Sequence, residues 1–241
     1  MIRLFITAAL VLSLAVASAS AQGISKDQMQ ELVLQTIRDN PEVIMEALQS
    51  LQARQEQAQA DQALAMLSAN RAVLEQDPNA PVLGNPEGDA TVVEFFDYNC
   101  GYCRRAFDDL HALMKGDANV RVVMREWPIL GEESAYVARA SLAARNQGKY
   151  AEFHIAMMSV KGRANEASAM RVAEELGMDV EQLRRDMDAP EVAAHIETSM
   201  QLSRALNLSG TPVFIFGDQL IPGAIELEQM QELVALSREA G

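Results

Sequence analysis

The sequence predicts an α/β protein: a central sheet, a block of helices inserted into it, and a separate helical segment in front. Three observations predict this. Two strand-like runs, "TVVEFF" and "NVRVVMREWPIL", flank the helical spacing of "RRAFDDLHALMK". Residues 133 to about 207 then read as almost wholly helical. Finally, "GTPVFIFGDQLIPGA" gives two short strands around a Gly217-Asp218 turn, ahead of a last amphipathic helix from about Glu226 to Ala240. The order strand, helix, strand, helices, hairpin, helix is that of an α/β core with a helical insertion.

The chain opens on "MIRLFITAALVLSLAVASASAQG". Arg3 gives a positive start, Leu4 to Val16 an apolar run, and Ala19-Ser20-Ala21 a small-x-small cleavage site. This reads as a secretory signal peptide cut after Ala21, with residues 1–21 lying outside the fold. A retained anchor is the other reading, but the run is short for a span. The expected destination is a bacterial periplasm, which permits disulfides. The formal charge is −14, one unit more negative without Arg3. That sign repels phosphate backbones and anionic lipid, so neither nucleic acid nor a membrane surface is an expected partner.

Residues 22–76 form the predicted N-terminal helical segment. From residue 24 to 76 there is no aromatic residue, no Gly and a single Pro. Ser25 with Gln28 makes a capping-box start, and Asn40-Pro41-Glu42 makes a second start. From there a long helix runs without Gly or Pro. One face of it reads Ile44, Leu48, Leu51, Gln55, Ala58, Gln62, Ala65, Ala69, a heptad seam interrupted by Gln55 and Gln62. Leu64, Met66, Leu67, Val73 and Leu74 add a second apolar patch. Such a helix must bury its stripe against the following domain or against copies of itself. The pattern leaves both open, and the Gln-rich middle, residues 52–63, is a candidate flexible neck.

"DPNAPVLGNPEGDA", residues 77–90, is dense in Pro, Gly, Asn and Asp and marks the expected start of a compact domain, 77–241. Strong helix starts within the insertion are Asn165, Asp179 with Gln182 as a capping box, and Pro190.

Both cysteines lie in "EFFDYNCGYCRR", where a strand ends and a helix begins. A structural staple of so short a loop would stabilise little. A zinc site needs more ligands than two thiols, and His111, His154 and His195 are scattered, so no metal site is assigned. Two-coordinate Cu(I) on the two thiolates stays open. The third reading is redox chemistry. The helix N-terminus would favour a thiolate at Cys100, and Cys103 one turn on is near enough to close a reducible disulfide. Strand–C-x-x-C–helix is the context expected of a redox motif.

"VVEFFDYNCGYC" followed far downstream by "GTPVF" resembles the DsbA-like thiol–disulfide oxidoreductases, which have a thioredoxin-like fold with a helical insertion. The resemblance implies that Cys100 is the nucleophile and Cys103 the resolving thiol. It implies a cis Pro212, with the Thr211 backbone beside the sulfurs to pair with a substrate strand. It maps the acid that exchanges a proton with Cys103 onto Glu94. A solvent-facing Glu94 and a trans Pro212 are the structural alternatives. Tyr102 is expected as an exposed aromatic touching substrate, and Phe95, Phe96, Phe214 and Phe216 as core. Strongly oxidising members have Pro-His between the cysteines, whereas this chain has Gly101-Tyr102. The Cys100 thiolate should then be less stabilised than theirs, whose pKa is about 3.5. Arg104 and Arg105 would assist it or face solvent. Gly-Tyr and the Thr before Pro resemble the disulfide isomerases of the DsbC type.

"NPEVIMEALQSLQ" and the cysteine segment together resemble the ScsC-like proteins, DsbA-like domains on an N-terminal oligomerising stalk. That resemblance implies a homo-oligomer, a trimer by analogy, in which several sites face one substrate. Implied partners are unfolded or misoxidised secreted proteins and a membrane thiol reductase that keeps the pair reduced. The implied activity is disulfide isomerase or reductase, needing no cofactor beyond the redox-active Cys100–Cys103 pair. The alternatives are a monomeric DsbA-like thiol oxidase and a periplasmic Cu(I)-handling protein. For copper, Met29, Met45 and Met66 are not at a compact ligand spacing.

Overall fold

A computed structural model describes residues 24–240; the expected signal peptide and its Ala21 cleavage site lie outside them. The described chain forms two compact units, up to Glu56 and from Gln57 onward.

The first unit holds α1 (Lys26–Asp39) and the first turns of α2 (Glu42–Gln76). The Ser25 box forms on both sides: Ser25 Oγ accepts from Gln28 N at 3.2 Å, and Gln28 Oε1 accepts from Ser25 N at 3.0 Å. No residue of α1 is buried. Leu32, Val33, Leu34, Val43, Ile44, Met45, Leu48 and Leu51 are all exposed, an unusual concentration of bare apolar surface.

The second unit is built on a five-stranded sheet in the order β1-β3-β2-β4-β5. The strands are β1 (Val82–Gly84), β2 (Ala90–Phe96), β3 (Val120–Glu126), β4 (Val213–Phe216) and β5 (Gln219–Pro222). β2 and β3 pair in parallel, and the other pairs are antiparallel. β1 was not foreseen: the turn-rich 77–90 segment contributes three residues that pair with β3, its Gly84 sitting at φ +73 with Val120 O where a Cβ would be. α3 (Gly101–Gly116) follows β2, and α4 (Glu132–Ala143) follows β3. With α5 (Tyr150–Met158), α6 (Glu166–Glu175), α7 (Val180–Asp186) and α8 (Pro190–Ala205), α4 makes up the helical insertion. α9 (Leu227–Ala240) closes the chain after the β4–β5 hairpin. In the α7 cap, Asp179 accepts from Gln182 N at 2.9 Å, but the return bond of the expected box is made by Gln147, whose Oε1 takes the Asp179 N–H at 2.8 Å.

β2 is central and covered on both faces, which is why it reads as a nearly unbroken apolar run. On one face Val92 and Phe96 pack with α3, α9 and the insertion. On the other, Val93 and Phe95 pack with Val123, Trp127, Leu202 and two residues of α2, Leu67 and Leu74. Those two sit seven apart on one helix face, each only 2 % exposed. The compact unit therefore starts before the 77–90 boundary read from composition, because the last turns of α2 form part of its core. Arg125, fully buried, donates to the carbonyls of Val73 and Leu74 and pairs with Asp77 at 2.8 Å. It thus satisfies carbonyls that the end of α2 leaves open.

Candidate active site

β2 delivers the chain to the top of the sheet at Phe96, and Asp97-Tyr98-Asn99 turn it into α3. Cys100 is the N-cap residue of α3 (φ −80°, ψ 117°), and Cys103 lies in its first turn. Both are thiols and both are buried. An N-cap normally offers a side-chain oxygen to the free N–H groups of the first turn. Here the N-cap side chain is a thiol, and it makes no capping hydrogen bond.

The two thiols are driven in opposite directions. The Cys100 thiol is pulled from an ordinary value of 9.0 down to about 5. The largest cause is the hydrogen bond from Cys103; Thr211 and the backbone N–H groups of Cys103 and Tyr102 add to it against the cost of burial. Burial first, then the bond to Cys100 and the nearby Glu94, push the Cys103 thiol far up. The value for Cys100 stands above the ~3.5 of the strongest oxidants, in keeping with a Gly-Tyr dipeptide that brings no positive group between the cysteines.

The Thr211-Pro212 peptide is cis. It places the Thr211 carbonyl 3.2 Å from Cys100 Sγ, which donates to it in the thiol form, whereas the bond that favours the thiolate comes from the Thr211 side chain. Glu94 is fully buried on β2, not solvent-facing, and neither carboxylate oxygen has a partner among the described residues. Burial, and after it the charge of Cys100, push its carboxyl up to about 8. Gly101 is open to solvent, with nothing near its Cα hydrogens. Tyr102 is 60 % exposed, with the Arg105 guanidinium 4.4 Å from its ring centroid. Phe95, Phe96, Phe214 and Phe216 are all core. Arg104 neither faces solvent freely nor serves Cys100. It donates to the carbonyls of Tyr98, Val160 and Gly162 at 2.6–2.9 Å and ties the start of α3 to the insertion.

Several residues around the site were not singled out in the sequence. Asp97 accepts from Asn99 N (2.7 Å), Ser134 Oγ (2.8 Å) and Leu130 N (2.9 Å), and its own carbonyl accepts from Cys100 N (3.0 Å). Asn99 holds both backbone groups of Ala164. Behind them, Glu126 Oε1 accepts from Tyr98 and Tyr150, each at 3.1 Å, and the Tyr98 hydroxyl is also within hydrogen-bond distance of Ser141 Oγ (2.6 Å) and His154 Nδ1 (2.9 Å). Burial pushes Glu126 up to about 8 and His154 down to about 3, so this network is neutral at neutral pH. The available signal was the run of three polar residues, Asp97-Tyr98-Asn99, between an apolar strand and the first cysteine. Only the fold says what they hold.

Among the described residues, no three His, Cys, Asp or Glu side chains come together in an arrangement able to hold a metal. A cleft of about 680 Å³ on the insertion, lined by Glu132, Glu133, Tyr136 and Arg184, contains neither cysteine. A cleft of about 590 Å³, also without a cysteine in its lining, runs along Tyr102, Thr211 and Pro212, beside Cys100.

A sheet, a strand–C-x-x-C–helix and a cis-Pro loop at the first sulfur define a thioredoxin-fold protein. Residues 91–235 match the DSBA-like thioredoxin domain, and residues 26–58 match the N-terminal domain of the copper resistance protein ScsC. The chain belongs to the DSBA-like thioredoxin domain family, a family of thiol–disulfide oxidoreductases. A thioredoxin-like oxidoreductase from Silicibacter pomeroyi DSS-3 is 59 % identical, with a TM-score of 0.70 over 71 % of this chain and 99 % of that one. Proteus mirabilis ScsC in a transitional conformation is 26 % identical, with a TM-score of 0.68 over 89 % of this chain and 97 % of that one. A sodium/proton antiporter, NhaA 3 of Salinispora tropica, is 28 % identical over 184 residues, which are 73 % of this chain and 28 % of the antiporter. The chain thus spans about a quarter of the length of that curated relative.

Proposed function

We propose that this chain is a periplasmic disulfide isomerase and reductase of exported proteins, working as a homo-oligomer through Cys100 and Cys103. The observation that carries the reading is the asymmetry of the two thiols: Cys100 stands at the N-cap of α3 beside Thr211, and Cys103 is fully buried in the first turn beneath it, which favours a thiolate at the first and a protonated thiol at the second. The Cys100 thiolate attacks one sulfur of a substrate disulfide. A mixed disulfide forms and the other substrate sulfur leaves as a thiolate. Two exits follow. Another substrate thiolate can attack the mixed disulfide, which restores Cys100 and leaves a rearranged substrate. Otherwise Cys103 loses its proton and attacks Cys100, which releases the substrate as a dithiol and leaves the pair oxidised by two electrons.

Glu94 is the proton acceptor for the second exit. Part of what holds its proton is the negative charge on Cys100. That charge disappears when Cys100 enters the mixed disulfide, so Glu94 can release its proton to water or to the departing substrate thiolate and then, as carboxylate, take the proton of Cys103. In this reading the Thr211 backbone, beside Cys100, pairs with a substrate strand, and the exposed Tyr102 touches the substrate. No cofactor is required beyond the Cys100–Cys103 pair, and a membrane thiol reductase returns that pair to the dithiol. The apolar faces of α1 and of the first turns of α2 suit self-association, and a trimer follows the ScsC likeness. The expected signal peptide, cut after Ala21, supplies export.

The test is reactivation of scrambled, fully oxidised ribonuclease in a redox buffer, with light scattering for mass. Cys100→Ser is one control. The other is a chain beginning at Gln57, which keeps Leu67 and Leu74. Rescue by an oligomeric full chain and its loss in the shortened monomer supports the reading. If both forms only oxidise reduced substrate, the protein is a DsbA-like oxidase. Stoichiometric Cu(I) binding that survives a strong chelator, without isomerase activity, would make it a copper-handling protein.

A further inference from the structure

The cleft at the redox site does not end at the cis-Pro loop. From Tyr102 it runs past Thr211 to Asn207 and Leu220. Asn207 and Leu220 also form one wall of a second cleft of about 650 Å³, whose far wall is the α2 helix at Gln59, Gln62 and Met66. The two clefts share a border. A chain leaving Cys100 along the cis-Pro loop would be led onto α2.

The shared wall offers backbone as well as side chains. β5 is the outermost strand of the sheet. Gly223 N donates to Pro212 O at 2.8 Å, and antiparallel pairs alternate between bonded and non-bonded. In the register Phe214–Ile221, Ile215–Leu220, Phe216–Gln219, the Leu220 pair is therefore a non-bonded one. Its N–H and C=O point away from β4 to the open edge. Around them stand the amides of Gln59, Gln62 and Asn207, the aliphatic Met66 and Leu206, and one charged group, Arg204. Amides and a free strand edge bind peptide backbone whatever the side chains. Among the described residues, no carboxylate lines either cleft.

We propose that the two clefts form one binding track for an extended, non-native polypeptide, so that α2 contacts the substrate several residues from its reacting cysteine. This rests on the oxidoreductase reading above and adds the part of the substrate that is recognised. The track is built for unfolded chain: a folded loop offers too few consecutive extended residues to follow it, whereas six extended residues reach about 20 Å.

The experiment uses the full, reduced protein and peptides in which one cysteine is joined by a disulfide to a fluorescent thiol. One peptide has a single residue on each side of the cysteine. Two others are extended by six residues, on the N-terminal or the C-terminal side. Attack by Cys100 releases the fluorescent thiol and leaves the peptide on Cys100, so each release reports one exchange. One of the extended peptides is expected to react about tenfold faster than the short one, the scale of two modest hydrogen bonds. Ala63→Trp places a ring in the α2 wall from an exposed helical position and should cut that advantage below about twofold, with Ala63→Ser keeping it. Equal rates for all three peptides, or an advantage that survives Ala63→Trp, overturn the track and leave the oxidoreductase reading standing. No release from any peptide sinks that reading itself.

Discussion

Glu94 offers the sharpest test of the site, because its state is written into stability as well as catalysis. Its carboxyl titrates at about 8 in the folded protein against 4.5 when unperturbed. Between those values the unfolded chain has released the proton and the folded chain still holds it. Stability therefore falls as pH rises through this window, by up to ~1.4 kcal/mol per pH unit. Integrated to pH 7 the loss is about 3 kcal/mol, and beyond pH 8 it approaches about 5 kcal/mol. Glu94→Gln removes the titration. The buried amide costs about 1–3 kcal/mol because it lacks partners, but that cost does not depend on pH. Glu126, raised in the same way, and His154 and His195, both lowered to about 3, act alike in both proteins and cancel. The assay is urea unfolding of the reduced forms from pH 4 to 8. The variant should gain about 3 kcal/mol on the parent between pH 4 and 7. A difference that stays flat across the window would refute a buried, proton-holding Glu94. Single-turnover release of substrate through Cys103 should slow in the same variant.

Three further outcomes are expected. In the reduced protein, the ultraviolet absorbance of thiolate should titrate near pH 5 at Cys100; Cys103→Ala removes its largest support and should move that midpoint upward. Leu74→Ala should destabilise the unit that holds the cysteines by about 2–5 kcal/mol in urea melts, as for a filled core position; no effect would mean the end of α2 is not core. Ile44→Arg with Leu48→Arg, both exposed, should leave the melt of the cysteine-bearing unit unchanged while light scattering falls to monomer mass; an unchanged mass would remove the stalk from self-association.

The chemistry of the pair was legible because it is local. A strand, two cysteines one helical turn apart and a downstream Thr-Pro are all readable along the chain, and so were the caps at Ser25 and Asn165. The hairpin at Gly217-Asp218 follows from a two-residue turn that its flanking strands require. The strand β1 escaped because three residues amid Pro and Gly carry no period.

What the sequence determined by itself is the reactive motif and the order of elements, since both depend on residues near one another in the chain. What only the tertiary structure decided is which polar groups are shut away from water. β2 is covered on both faces, so no alternation marks Glu94 as buried; the sheet, α3 and α9 together exclude solvent from it and raise its pKa. Leu67 and Leu74 look like the rest of α2 until Phe95 of β2 and Trp127, just past β3, arrive to cover them. Asp97 becomes an anchor only once Leu130 and Ser134 are folded back against it. In each case the deciding contact joins residues far apart in sequence, and burial, which sets the energies, exists only after they meet.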